Sequence, residues 1–168
     1  MSWQADLADA LVDAGADVAA YVPDSRLQGV LARLDERGVP LRGLPREEEC
    51  VAYACGHALA GGRPLVLLQS SGVGNALNAL GALAVPYALG VALVISMRGT
   101  LGEGNPSQVP MGRATRAQLD SLGIQCFPLA DEARAPAVGE GVARLAFDAS
   151  QVAAVILEPE LGGQRAHR

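Results

Sequence analysis

Two hydrophobic rhythms alternate along the chain. Short unbroken apolar runs, "PLVLLQ" (64–69), "GVALVISM" (90–97) and "VAAVILEP" (152–159), read as strands buried on both faces, because a strand with one wet face would alternate polar and apolar positions. "DVAAYVPDS" (17–25), "VPLRGLP" (39–45) and "IQCFPLA" (124–130) read as shorter strands. Between them, apolar residues recur at helical spacing. Ser2 caps a first helix in which Leu7, Ala10 and Leu11 share a face, and Ser25 caps "RLQGVLARLDERG", with Leu27, Val30, Leu31 and Leu34 as its stripe and Gly38 as its stop. "EEECVAYACGHALAGG" (47–62), "GNALNALGALAV" (74–85), "RATRAQLDSLG" (113–123) and a segment from Val138 to Ala149 complete the helices.

Strict alternation of apolar strands and helices predicts an α/β fold: a three-layer, doubly wound, six-stranded parallel sheet with helices on both faces. No repeat or linker interrupts it, so residues 1–161 read as a single domain and 162–168 as a frayed tail. In such a sheet ligands gather at the carboxyl ends of the strands. This selects the loops "VPDS" (22–25), "LPREEE" (44–49), "QSSGVGN" (69–75) and "SMRGTLGEGNPSQVPMGR" (96–113).

Composition then narrows the chemistry. The net charge is −5 and none of the 13 basic residues is a lysine, which speaks against binding nucleic acid. Cys50, Cys55 and Cys126 form neither a CxxC pair nor a zinc spacing, so no metal site is expected, and a reducing cytoplasm fits. The acidic N-terminus lacks the basic start of an export signal. The uncharged stretch between Arg63 and Arg98 is broken by Gln69, Ser70, Ser71, Asn75, Asn78 and Pro86, so a buried strand–helix–strand is expected there and not a membrane span.

The glycines of "SGVGN" fit neither GxGxxG nor GxxxxGK[ST]. On the residues alone they leave two readings: a tight turn for close helix packing, or a backbone cradle for an anion. Glu47, Glu48 and Glu49 open a helix, where carboxylates are favoured by the helix dipole. That helix is apolar around most of its circumference, so it is expected to lie buried, with one of the three acids facing inward and able to share a proton with a bound heterocycle.

With "VPDS", "REEE", "LLQSSGVGNALNALGAL", "ISMRG" and "PSQVPMGRATRAQLDSLGI" in this order, the stretch from Tyr21 to Leu129 resembles the pyrimidine-binding (PYR) domain of thiamine-diphosphate-dependent decarboxylases. More narrowly it resembles the sulfopyruvate decarboxylase alpha subunits, with the phosphonopyruvate decarboxylases as near relatives. The resemblance implies a cytoplasmic 2-keto acid decarboxylase subunit that uses thiamine diphosphate. By it, Glu47 hydrogen-bonds N1′ of the aminopyrimidine and favours the imino tautomer that activates the thiazolium C2–H. Gln69, Ser70, Gly72, Gly74 and Asn75 wall the pyrimidine or the reacting carbon. Ser70 departs from the asparagine common in that family. The family's metal-binding GDG is missing, since only "GEG" (102–104) is found, so Mg²⁺ and the diphosphate are expected on a separate beta subunit. The uncharged region from Leu65 to Met97 is expected to help form that interface, and self-association is expected as well.

For an acidic 2-keto acid substrate, Arg98 is the best-placed cation, and its alternative is a surface arginine at a strand end. Gln108 and Arg113 lie in or beside the same loop, while Asp24 and Ser25 are candidates for the carboxylate region. His57 lies nearly three turns from Glu47 and is expected to serve packing or an interface. Three functions stay open: decarboxylation of 3-sulfopyruvate to sulfoacetaldehyde, the same chemistry on phosphonopyruvate or another acidic keto acid, and a binding module that keeps the fold without catalysis.

Overall fold

The computed structural model describes residues 2–100 and 102–163. Six strands, β1 (Val18–Tyr21), β2 (Leu41–Gly43), β3 (Pro64–Gln69), β4 (Val91–Ser96), β5 (Gln125–Leu129) and β6 (Val152–Leu157), form one sheet in the order β2-β1-β3-β4-β6-β5. Every pairing is parallel, as the continuous apolar runs require. The helices are α1 (Trp3–Asp13), α2 (Gln28–Glu36), α3 (Glu47–Leu59), α4 (Val73–Ala79), α5 (Gln108–Ser121) and α6 (Ala135–Phe147).

Alternate side chains of the central strands supply two separate cores. On one face Leu65, Leu67, Ala92 and Val94 pack with Leu7 and Leu11 of α1, Val30 and Leu34 of α2, and Val142 and Ala143 of α6. On the other, Val66, Leu68, Leu93 and Ile95 pack with Val51 and Ala54 of α3, Val73 and Ala76 of α4, and Leu119 of α5. Each fully buried leucine or isoleucine contributes about 1.5–3 kcal/mol, so the central strands anchor the molecule. No helix among the described residues is long and apolar enough to cross a membrane.

Several local expectations are revised. Ser25 is not a cap: the Asp24 side chain accepts from the Arg26 N–H and caps a short 3₁₀ turn, Ser25–Leu27, from which α2 starts at Gln28. An aspartate one residue earlier offers a charged acceptor to an N–H of the first turn, that of Arg26. The helix expected over 74–85 is two pieces, α4 and a π segment at Leu80–Ala84, and a 3₁₀ turn at Ser70–Gly72 precedes them. Helix α5 begins at Gln108 and not at Arg113, because Pro110 falls in its first turn, where the missing N–H has no intrahelical partner to lose.

Helix α3 is not buried around most of its circumference. Cys50, Val51, Ala54 and Cys55 face the sheet, whereas Tyr53 and Leu59 are exposed, Leu59 at 73%. The uncharged stretch behaves likewise: β3 and β4 lie inside the core, and only Leu83, Val85 and Tyr87 present large apolar side chains outward. Gly162 and Gly163 belong to a closing 3₁₀ turn, and the rest of the expected tail, 164–168, lies outside the described residues.

Candidate active site

In the sheet order, β1 leads outward to β2 on one side while β3 leads to β4 on the other. The crevice between the carboxyl ends of β1 and β3 is therefore the switch point, where two loops diverge and leave room for a ligand. Register brings the loops together: Tyr21 pairs with Leu67 and Gln69 with Ser96, so the segments after β1, β3 and β4 leave the sheet side by side.

Glu47 is the first residue of α3 and is half-buried. Its carboxylate packs against Gly72, where an added Cβ would lie 2.2 Å from Oε1. Asn75 Nδ2 donates to Oε2 at 2.9 Å, and Oε1 accepts no hydrogen bond from the described residues. The glycine is thus needed for close approach of a carboxylate, and one carboxylate oxygen stays available to a donor from outside. Gly74, two residues along, similarly makes room, since a Cβ there would meet Met111 Cε of α5 at 2.6 Å. Gln69 Nε2 donates to Ser71 Oγ at 2.5 Å.

Ser70 is fully buried and joins three segments. Its Oγ accepts from the Arg98 N–H at 3.0 Å, and its carbonyl accepts from Thr115 Oγ1 at 3.1 Å. The serine thus fastens the β3 turn to the end of β4 and to α5.

Asp24 is 8% exposed and collects three donors: the Arg26 N–H at 2.9 Å and Arg98 Nη2 at 2.8 Å on Oδ1, and Ser96 Oγ at 2.5 Å on Oδ2. Arg26 in turn spans the carbonyl ends of two strands, with Nη1 donating to Met97 O at 3.1 Å and Nη2 to Glu158 O at 2.9 Å. Burial pushes the Arg26 guanidinium below its ordinary value. It thereby ties the carboxyl ends of β4 and β6 together.

Of the other candidates, Ser25 is exposed, Arg113 is exposed on α5, and half-buried Gln108 opens α5 with a buried Oε1 that has no partner among the described residues. His57 Nε2 pairs with Asp17 Oδ1 at 2.8 Å, at the opposite end of the sheet from Glu47. His57 therefore lies away from the carboxyl ends of the strands. The sequence reading missed Ser96, Thr115, Arg26 and Glu103. Ser96 was findable, as a lone hydroxyl closing an otherwise apolar strand needs a partner. Glu103 of "GEG" accepts from the Gly99 and Asn105 N–H groups, each at 3.1 Å, and those bonds hold its carboxyl below the usual range. It staples the loop after β4.

Among the described residues no group of three or more His, Cys, Asp or Glu side chains is arranged to hold a metal ion. A carboxylate with one free oxygen, set beside a glycine turn in a parallel-sheet crevice, can bind a flat ring bearing an N–H and exchange a proton with it.

Residues 1–98 match the family described as thiamine pyrophosphate enzyme, N-terminal TPP binding domain. The chain is 36% identical over 119 residues to the sulfopyruvate decarboxylase subunit alpha of Methanococcus maripaludis, covering 70% of this chain and 71% of that one. It is 33% identical over 118 residues to the phosphonopyruvate decarboxylase of Streptomyces viridochromogenes, covering 69% of this chain but 30% of the relative. Among solved structures, a 2-oxoglutarate:ferredoxin oxidoreductase from Magnetococcus marinus superposes with a TM-score of 0.74 at 14% identity, over 96% of this chain and 29% of the other, so the two share the fold.

Proposed function

This chain belongs to the thiamine pyrophosphate enzymes, as their N-terminal TPP binding domain, and on that premise we propose that it is the alpha subunit of a 2-keto acid decarboxylase acting on 3-sulfopyruvate. One observation carries the reading: the Glu47 carboxylate is held in the switch-point crevice by Asn75 and Gly72 with Oε1 left free. The donor set fits an aminopyrimidine, because a half-buried carboxylate oxygen is a strong acceptor for a ring N–H, and Gly72 lets that carboxylate approach the turn after β3 closely.

Thiamine diphosphate, when bound, supplies the electron sink that lets the carboxylate of the keto acid leave as CO₂. This chain's part is orientation and proton control. Glu47 holds a proton at the pyrimidine N1′, and Gln69, Ser70, Gly72, Gly74 and Asn75 wall the ring or the reacting carbon. Arg98, with Gln108 beside it, reads the anionic tail of the substrate.

The relatives named subunit alpha support a partner subunit, and the Mg²⁺ and the diphosphate are assigned to it, since residues 1–168 contain no GDG. The exposed apolar side chains Tyr53, Leu59, Leu83, Val85 and Tyr87 lie on α3 and the segment after α4, and support that face as the docking surface. Self-association of the pair into a larger oligomer is part of the same reading. The three free thiols suit a reducing compartment, the cytoplasm.

The relative named a phosphonopyruvate decarboxylase makes a phosphonate tail the second reading, since both tails are tetrahedral anions that a guanidinium binds. The test is co-expression with a partner chain carrying GDG, followed by CO₂ release from 3-sulfopyruvate and 3-phosphonopyruvate. Turnover of the sulfonate supports the first reading and turnover of the phosphonate alone the second. A pair that binds the cofactor yet decarboxylates neither is a non-catalytic binding module.

A further inference from the structure

Asp24 follows β1 in a loop that faces the crevice, and a carboxylate there invites a direct role with substrate. Its surroundings argue otherwise. The side chain is only 2% exposed, and both oxygens are occupied, Oδ1 by the Arg26 N–H and Arg98 Nη2 and Oδ2 by Ser96 Oγ. A substrate atom cannot reach it without displacing three donors. Arg98 differs in kind. Its side chain is 23% exposed, its backbone N–H is fixed to Ser70 Oγ, and its buried Nε has no partner among the described residues.

An arginine carries five N–H donors in a rigid fork, and a carboxylate that grips one terminal nitrogen sets the plane and direction of the rest. Ser70 fixes the backbone from which the side chain starts and Asp24 holds Nη2, so the guanidinium is aimed before any ligand arrives. Pre-ordering of this sort lowers the entropy lost on binding an anion. It leaves the chemical step alone.

Resting on the proposed acidic-keto-acid activity, we propose that Asp24 is a positioning residue for substrate specificity: it touches no substrate and acts by aiming Arg98 at the anionic tail. Ser96 is its support, since the Ser96 hydroxyl keeps Oδ2 turned away and Oδ1 toward Arg98.

The experiment uses the co-expressed alpha–beta pair. Asp24→Asn, Arg98→Ala, the double variant and Ser96→Ala are compared with the wild type for kcat and KM on 3-sulfopyruvate, and for the inhibition constant of sulfoacetate. Asp24→Asn is expected to raise KM and the sulfoacetate constant by about ten- to a hundredfold, the value of a charge-assisted hydrogen bond, while kcat changes far less. Ser96→Ala is expected to do the same more weakly, and it carries the test if Asp24→Asn does not fold. In the Arg98→Ala background, Asp24→Asn should add less than a twofold effect on either constant. An undiminished Asp24→Asn effect in that background would mean Asp24 meets the substrate itself. A fall in kcat with KM unchanged would mean a catalytic or merely structural role. Either result overturns the inference while the proposed activity stands. A wild-type pair that decarboxylates neither 3-sulfopyruvate nor 3-phosphonopyruvate ends both.

Discussion

The Glu47 carboxylate stands where a side chain on residue 72 would otherwise be, so that a Cβ added to Gly72 would lie 2.2 Å from Glu47 Oε1. The first turn of α3 and the turn after β3 are thereby locked into one unit. Asn75 completes it with a 2.9 Å hydrogen bond to the other carboxylate oxygen.

Replacing Glu47 by Gln keeps the shape of this unit and removes the proton-sharing group. Turnover of the pair is expected to fall by about 10²–10⁴-fold, the range for a lost acid–base residue. Proton–deuterium exchange at C2 of the cofactor, followed by NMR, should fall with it, while the melting temperature stays near that of the wild type. Unchanged exchange would remove Glu47 from the proton path.

Gly72→Ala tests the close approach itself. The added methyl meets the Glu47 side chain from Cγ to Oε1, so the carboxylate is pushed aside at a stability cost of about 1–3 kcal/mol. Activity should drop about a hundredfold, because the displaced acid misses the ring. Gly141→Ala on α6, where a Cβ meets nothing within 4 Å, is the control and should stabilise by about 0.5–1 kcal/mol with full activity.

Glu103 makes the loop after β4 sensitive to acid. Its carboxyl is held below the ordinary value of 4.5 by the Gly99 and Asn105 N–H groups, so the loop's extra stability is complete above pH 4.5. As pH falls below that value the unfolded carboxyl binds its proton first, and the contribution disappears once the folded one is protonated as well. Protection of the Gly99 amide against exchange, taken relative to its intrinsic rate at each pH, should fall across this window. In Glu103→Gln the acid-dependent step should be missing, and its persistence would assign the step to another group.

The outward apolar side chains make a prediction about assembly. Leu59→Asp and Tyr87→Asp change residues that are 73% and 70% exposed, so the isolated chain should keep its stability within about 0.5 kcal/mol. If this face receives the partner subunit, each change should weaken pair formation at least about tenfold, as expected when a large apolar contact is replaced by a charge. Light scattering of the mixed subunits reads the result directly, and undiminished pairing would move the interface elsewhere.

What sequence alone determined here is whatever neighbouring residues enforce on one another. The unbroken runs 64–69 and 90–97 could only be satisfied as inner parallel strands, Ser2 caps α1 through the Ala5 N–H, and the stripe Leu27, Val30, Leu31 and Leu34 is buried as its spacing required. The four loops at the strand ends were equally legible, since strand direction follows from the alternation. Tertiary structure decided which side chains meet across those loops. Glu47 and Asn75 are 28 residues apart, and Asp24 lies 72 residues from Ser96 and 74 from Arg98. No periodicity spans such intervals; they close only because the order β1-β3-β4 sets three strand ends side by side. The exposed flank of α3 escaped the sequence reading for a related reason. An apolar surface looks the same in a string of residues whether the sheet of its own chain covers it or nothing in that chain does.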